Sequence, residues 1–306
     1  MRNSSAIAAD RVARVDPTET PSFGALYELS KPNLTLLVVI TAVLGFYMAS
    51  TGDSVRWDRL IALIIGTALT SAGACALNMY IERDIDARMP RTRKRPIPSG
   101  RVTPEVALFF VMMTLSWGFG LLATFCGPIP AALSLMTAGI YAFIYTPLKR
   151  RGPLSIWVGA IPGAVPPLMG WAAATGRIDW GGAALFLILF AWQFPHFIAL
   201  AYMYREDYRR AGFHFLPKQD PEGRKVGLQI AGGGLALLIA SVLPVMLGVV
   251  GPIYAVGVVA IGLWFLKVCL QSAFELTGKS ARRVFLGSIK YLPIVLALLV
   301  IDRIIL

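Results

Sequence analysis

The sequence predicts an all-α, polytopic membrane protein: nine transmembrane helices in a single bundle, laid out as two four-helix repeats plus one. Three observations carry that prediction. Of the 306 residues, 56% are hydrophobic and only 15% charged, too few polar residues to cover a water-facing surface. The apolar residues come in long unbroken runs, not in period-2 or period-3.6 stripes, and a run of about 20 spans roughly 30 Å of hydrocarbon as a helix. The basic residues fall in the short gaps between the runs. In lipid the backbone must satisfy its own hydrogen bonds, so the runs are expected as helices.

In chain order the runs cover roughly residues 33–50, 57–82, 104–126, 129–146, 154–174, 181–203, 227–248, 252–272 and 284–303. Residues 1–30 are polar and mixed and read as a flexible cytoplasmic arm, leaving 31–306 as the transmembrane domain. The run that follows is too long for the apolar region of a secretory signal. Four connectors are basic. The first carries Arg88, Arg91, Arg93, Lys94, Arg95 and Arg101; the second Lys149, Arg150 and Arg151. The third carries Arg205, Arg209, Arg210, Lys218, Arg224 and Lys225; the fourth Lys279, Arg282 and Arg283. The connectors between them are short and nearly neutral. The excess of cytoplasmic Lys and Arg in membrane proteins then places the N-terminus and all four basic loops in the cytoplasm, as in a multi-pass protein of the cell's inner (plasma) membrane. An odd number of spans sends the C-terminus to the other side.

The net charge of +12 does not indicate nucleic acid, because its carriers sit where they mark topology and meet anionic lipid headgroups. Cys75, Cys126 and Cys269 lie in or at the edge of apolar runs with no CxxC pair, and read as small buried hydrophobes. A weak internal repeat supports the layout. Span two ends in Tyr80-Ile81-Glu82-Arg83-Asp84-Ile85-Asp86 and span six in Tyr202-Met203-Tyr204-Arg205-Glu206-Asp207-Tyr208, so Tyr80 matches Tyr202 and Arg83 matches Arg205. Both segments leave the membrane on the same side, four spans apart, as a parallel duplication requires. Repeats often place a substrate site at their interface.

The end of span two carries the most informative residues. Asn78, Glu82 and Asp86 stand at i, i+4 and i+8, so they form a column of oxygen donors along one helical face. Ionisable groups in a span usually face the bundle interior or an aqueous cavity. Hard oxygen ligands without thiolates suit Mg²⁺, which takes one or two carboxylates plus substrate phosphates. Arg91 and Arg95 follow at four-residue spacing with Lys94 between them; guanidinium forks and a lysine point charge suit phosphate oxygens. Carboxylates for a metal beside arginines for phosphate make a diphosphate clamp. The acidic column alone reads equally well as a solvated helix end with i,i+4 ion pairs.

Span six ends in Arg205, Glu206 and Asp207, a second acidic candidate, though Tyr204 and Tyr208 fill the positions equivalent to Glu82 and Asp86. Taken alone, such a run is more often a solvated terminus. Of the two histidines, His214 lies in a loop and reads as solvated or interfacial, whereas His196 sits inside span six beside Pro195. That proline frees a carbonyl four residues earlier. His196 is a candidate ligand for a metal or a haem iron, against a structural reading in which it bonds Gln193 or the freed carbonyl. Span five holds Pro162, Pro166 and Pro167 among Gly159, Gly163 and Gly170, and is expected to be bent or broken and to line a cavity.

With these residues in view, the chain resembles the UbiA superfamily of intramembrane prenyltransferases, and within it the haem O synthase branch. The family's acidic helix end maps onto Asn78, Glu82 and Asp86. The branch pattern continues through Met89, Arg91-Thr92, Arg95-Pro96 and Gly100, then Tyr145-Thr146 with Lys149-Arg150, Gly163-Ala164 with Pro166-Pro167, and Gly170-Trp171. It ends with Trp192-Gln193, Pro195-His196-Phe197, Tyr204-Arg205, Asp207-Tyr208 and Ala211-Gly212. Two departures stand out: Glu82 occupies a position where many members carry Asp, and the second DxxxD of the superfamily is missing, which argues against two metals and against quinone-precursor enzymes.

The resemblance implies transfer of a farnesyl group from farnesyl diphosphate to a vinyl group of haem B, giving haem O and diphosphate. It implies Mg²⁺ on Glu82, Asp86 and Asn78, and Arg91, Lys94, Arg95, Lys149, Arg150 and Arg205 around the diphosphate. His196 becomes a candidate for the haem, which is substrate and not cofactor. Contact with proteins that assemble haem A or a terminal oxidase fits the same picture. Two other functions stay open. A prenyltransferase for an aromatic acid or quinone precursor such as 4-hydroxybenzoate shares the clamp but needs no iron ligand, and a transporter would use the polar helix ends as a gate.

Overall fold

The computed structural model of the protein describes residues 21–50, 55–210, 212–217, 220 and 222–305. Among them, nine helices are long and apolar enough to cross a membrane: Pro32–Ala49, Trp57–Asp86, Pro104–Cys126, Pro128–Leu148, Leu154–Thr175, Trp180–Met203, Arg224–Met246, Pro252–Phe274 and Gly278–Ile305, numbered here spans one to nine. The all-helical expectation is borne out. The main difference lies at the ends that carry charge. Spans two, seven and nine run past their apolar stretches into polar turns, so Glu82 and Asp86 stand on the same unbroken helix as the membrane-buried part of span two. Most of the expected N-terminal arm, residues 1–20, lies outside the described residues, as does Lys218; Phe23–Leu29 forms a short helix capped by Ser22.

Each half of the bundle follows the same packing order. Span two packs against spans one and three, and span six against spans five and seven. Span five then lies along span one, and span nine closes the second half against spans six and eight. Without a hydrophobic force between helices in lipid, such contacts depend on close fit of small residues. Gly45 of span one and Gly170 of span five are required by it: a Cβ on Gly45 would overlap the Pro167 carbonyl, and one on Gly170 the Ala42 carbonyl. Span five was expected to be bent or broken; Leu154–Thr175 is unbroken, one helix that contains Pro162, Pro166 and Pro167. Span one packs along one side of it, and Gln193 of span six donates to the Ala160 carbonyl at 2.9 Å on the other.

Spans three and four each contain a π-helical stretch, Leu122–Cys126 and Ile140–Tyr145. The wider π turn rotates the residues that follow it, and such turns often mark functional positions. Here the second one presents Tyr141 and Tyr145, whose rings stack at 5.6 Å, to the interior. At the opposite end of the bundle, buried Asp302 of span nine accepts from the backbone N–H groups of Gly251 and Tyr254 and so caps the start of span eight.

Candidate active site

The polar end of span two meets spans one and four on the face of the bundle that carries the basic loops. Asn78, Glu82 and Asp86 are all buried there. The side chains of Asn78 and Glu82 bond each other along the column: Asn78 Nδ2 donates to Glu82 Oε2 at 3.1 Å and to Thr146 Oγ1 of span four at 3.0 Å. Asn78 Oδ1 accepts from Lys31 Nζ at 3.1 Å and from the Tyr141 hydroxyl at 3.4 Å. Both carboxylates hold a cation. Lys149 Nζ lies 2.9 Å from Glu82 Oε1, and Arg95 Nη1 lies 2.6 Å from Asp86 Oδ2. Thr92 fixes the turn between them by donating to the Asp86 carbonyl at 3.0 Å. Two carboxylates one helical turn apart therefore sit out of water, each paired with a cation, as buried acidic groups require.

Below this constellation lies a cavity of about 370 Å³, lined by residues of spans one, two, four, five and six and by Tyr208 and Phe215 beyond span six. Its wall is mainly hydrocarbon and aromatic. Tyr141 and Tyr145 belong to both regions: they line the cavity, Tyr141 bonds Asn78, and Lys149 Nζ stands 4.8 Å above the Tyr145 ring. Spans two and six thus line one chamber, and Tyr141 and Tyr145 join it to the acidic end of span two. Gly163 is needed on that wall, since a Cβ there would run into the Gln193 side chain.

The remaining acidic and basic candidates fall into three groups. Arg91, Lys94 and Arg150 are exposed and form no ion pair among the described residues. Arg205 folds back on its own helix: its guanidinium lies 4.5 Å from the Tyr202 ring centre and donates to the Tyr202 carbonyl at 3.0 Å. Arg83 does the same with Tyr80, at 4.7 Å and 2.8 Å. The two halves of the sequence repeat therefore share one local geometry. The second acidic pair is not gathered into the chamber: Glu206 and Asp207 are exposed, and Glu206 pairs with Arg209 at 2.9 Å. Its place along the wall is taken by Tyr208, the residue in register with Asp86.

His196 is not among the residues that line the chamber. Its Nδ1 lies 2.8 Å from the Ser288 hydroxyl of span nine, and its ring stacks on Trp192 at 4.7 Å. Neither partner expected for a structural histidine is used, because Gln193 bonds Ala160 and Leu189 instead.

Two residues of the network escaped sequence reasoning. Lys31 stands just before span one with a left-handed backbone, φ 47°, a conformation that costs a non-glycine residue about 1–2 kcal/mol. Burial pushes its ammonium down to about 8. A signal existed: a lone lysine at a helix N-terminus opposes the helix dipole and needs a reason to be there. Tyr141 depends on the π turn, which no simple spacing reveals.

Comparison with known proteins places this geometry among relatives. The protein-family model described as the UbiA prenyltransferase family matches residues 38–292. A protoheme IX farnesyltransferase of Solibacter usitatus is 42% identical over 285 residues, covering 90% of this chain and 97% of that protein. One from Opitutus terrae is 40% identical over 290 residues, covering 94% and 97%. Among solved structures, one of digeranylgeranylglyceryl phosphate synthase superposes with TM-score 0.81 at 18% identity, covering 92% of this chain and 99% of that one. A UbiA homologue from Archaeoglobus fulgidus, bound to GPP and Mg²⁺, superposes with TM-score 0.61 at 14% identity, covering 90% and 99%. At those identities the structures speak for the fold alone.

Proposed function

Because the chain belongs to the UbiA prenyltransferase family, we propose that it transfers the farnesyl group of farnesyl diphosphate to a vinyl group of haem B, giving haem O and diphosphate. One observation carries this reading at the level of the site: buried Glu82 and Asp86, each with its own cation, stand at the mouth of a hydrocarbon-lined chamber. A prenyl diphosphate is a polyanion joined to a hydrocarbon chain, and here the complements of both parts meet at Tyr141 and Tyr145.

The donor set fits Mg²⁺. Glu82 and Asp86 offer only hard oxygens and sit next to cations that phosphate oxygens can claim, and Mg²⁺ needs no protein-only cage. Among the described residues no group of three His, Cys, Asp or Glu forms such a cage. Glu82 and Asp86 would hold the ion; when bound, it offsets the charge that builds on the departing diphosphate. Asn78, whose amide is fully engaged, orients Glu82.

The chain's own residues do the rest. Lys149, Arg95 and Lys31, with Arg91, Lys94 and Arg150, stabilise the diphosphate as the allylic C1–O bond breaks and its electron pair leaves with the oxygen. The walls exclude water from the allylic cation, and the faces of Tyr141, Tyr145 and Phe197 stabilise it. The π pair of the haem vinyl group forms the new bond to C1. The carbocation left on the former vinyl carbon takes a water oxygen and releases a proton to solvent, which leaves the hydroxyl. His196 would serve the haem through Nε2, because Nδ1 is held by Ser288, the kind of outer bond that fixes a ligating imidazole. By the charge of the loops, the mouth opens to the cytoplasm of an inner-membrane protein, and the C-terminus lies on the other side.

The test is to incubate membranes that contain the protein with farnesyl diphosphate and Mg²⁺, giving haem B to one sample and 4-hydroxybenzoate to another. The expected product is haem O in the first and nothing prenylated in the second. Prenylated 4-hydroxybenzoate with unchanged haem B would overturn the choice of acceptor, and flux without diphosphate release would point to a transporter.

A further inference from the structure

A haem held by His196 sits beside the chamber and not in it, because His196 does not line the chamber. The two places adjoin. Phe197, the next residue, does line the chamber and meets the imidazole edge-on at 5.1 Å. In the register that matches Tyr80 with Tyr202, His196 also stands level with Ala74, a lining residue one turn inward of Asn78.

The imidazole is fixed in both proton and plane. Ser288 has a single hydroxyl proton and gives it to the Phe285 carbonyl at 2.6 Å, so toward His196 the hydroxyl accepts. The ring therefore carries its proton on Nδ1 and an open electron pair on Nε2. Trp192 and Phe285 lie within 22° and 31° of its plane, at 4.7 and 4.9 Å. Nε2 has no hydrogen-bond partner among the described residues and is not one of their fully buried, unpaired polar atoms. An accessible, unpaired nitrogen within a span marks a place for a ligand.

The fourth basic loop supplies a charge at the matching distance. Lys279, Arg282 and Arg283 are exposed, form no ion pair among the described residues and have no part in the diphosphate clamp. Of the two arginines, Arg282 lies one turn before Phe285 on the same side of span nine, whereas Arg283 lies on the far side. We propose that Arg282 binds a propionate of the haem whose iron His196 faces. Arg282 stands six residues before Ser288, about 9 Å along the axis at 1.5 Å per residue. By bond lengths, a porphyrin carries its propionate carboxylates about 8 Å from the iron. A guanidinium fork suits a carboxylate, and its long stem takes up the remaining offset. Propionates and vinyls lie on opposite edges of the porphyrin. Holding the carboxylates at the end of the bundle that carries the basic loops keeps the vinyl edge in hydrocarbon, beside Phe197 and the chamber. This site deepens the reaction proposed above and rests on its choice of haem as acceptor.

Haem B and its dimethyl ester are titrated separately into the purified protein in nanodiscs of zwitterionic lipid, read by the Soret band with empty nanodiscs subtracted. The ester keeps the iron, the ring and the vinyls and loses only the two carboxylate charges. The lipid removes anionic headgroups, the other natural partner of an interfacial arginine. The unmodified protein should bind the free acid about tenfold or more tighter than the ester, the scale of one charge-assisted hydrogen bond. Arg282→Gln should weaken the free acid by that factor and leave the ester unchanged, and Arg282→Lys should keep part of the preference. Arg283→Gln should keep all of it. Because each preference is a ratio within one variant, a change in overall stability does not mask it. Equal affinities in the unmodified protein, a preference that survives Arg282→Gln, or an equal loss in Arg283→Gln overturns the site. An Arg282 effect that appears only once anionic lipid is added belongs to headgroups and overturns it too. No haem binding by the unmodified protein overturns the acceptor itself.

Discussion

Replacing Lys149 by Met removes the charge that Glu82 holds at 2.9 Å while keeping most of the stem. The pair is largely shielded, with side-chain exposures of 12% and 7%. At an effective dielectric constant of about 20, the gross attraction across that distance is about 6 kcal/mol, much of it offset by desolvation. Stranding a buried carboxylate costs about 3–5 kcal/mol. Lys149→Met should therefore lower thermal stability clearly in detergent or nanodiscs. Adding Glu82→Gln should recover most of the loss, a coupling of about 2–3 kcal/mol in a double-mutant cycle. Activity should behave differently. A charge-assisted hydrogen bond to the leaving diphosphate is worth about 1.5–3 kcal/mol, so kcat/KM for farnesyl diphosphate should fall roughly 10- to 100-fold. That loss should persist in the double variant, which also lacks the carboxylate. Wild-type kcat/KM in Lys149→Met, or activity that returns together with stability, would show that the pair is only a strut.

Other predictions follow from the same geometry. Glu82→Gln and Asp86→Asn should each abolish turnover in folded protein, and a chelator should stop the unmodified enzyme; turnover that survives all three treatments removes the metal from the account. The Lys31 ammonium is held near 8 by burial, below its ordinary value of 10.5, so it is charged below that pH and neutral above it. KM for farnesyl diphosphate should then rise as pH passes from 8 to 9, and Lys31→Arg should flatten the rise; equal profiles would exclude Lys31 from the diphosphate site. His196→Ala should alter the absorption spectrum of bound haem if the imidazole ligates iron, and an unchanged spectrum leaves only its contact with Ser288. Asp302→Ala strips the cap from span eight and should lower stability by about 1–3 kcal/mol with KM unaffected, as measured by thermal unfolding and steady-state kinetics.

The bundle was legible because hydrocarbon leaves the chain few choices: each long apolar run became a helix, and the gaps became loops. The acidic column was legible for a related reason, since Glu82 and Asp86 at the end of such a run require partners. What escaped depended on contacts between distant segments. Nothing local in span five announces that Gly45 of span one packs against the Pro167 carbonyl, or that its three prolines lie in one unbroken helix. The partner of His196 lies ninety-two residues away in span nine. Arg205 looked like a phosphate ligand by type, yet, like its repeat mate Arg83, it stacks on the tyrosine three residues before it. Lys31 was hidden by its position next to an arm with no pattern of its own.

In the proposed reaction, carboxylates at the inner end of span two drive prenylation of a porphyrin. Mass spectrometry of haem extracted from cells tests it most directly. Cells with the unmodified protein should contain haem O, and cells that lack the protein or carry Glu82→Gln should contain haem B alone. Equal amounts of haem O in all three would contradict it.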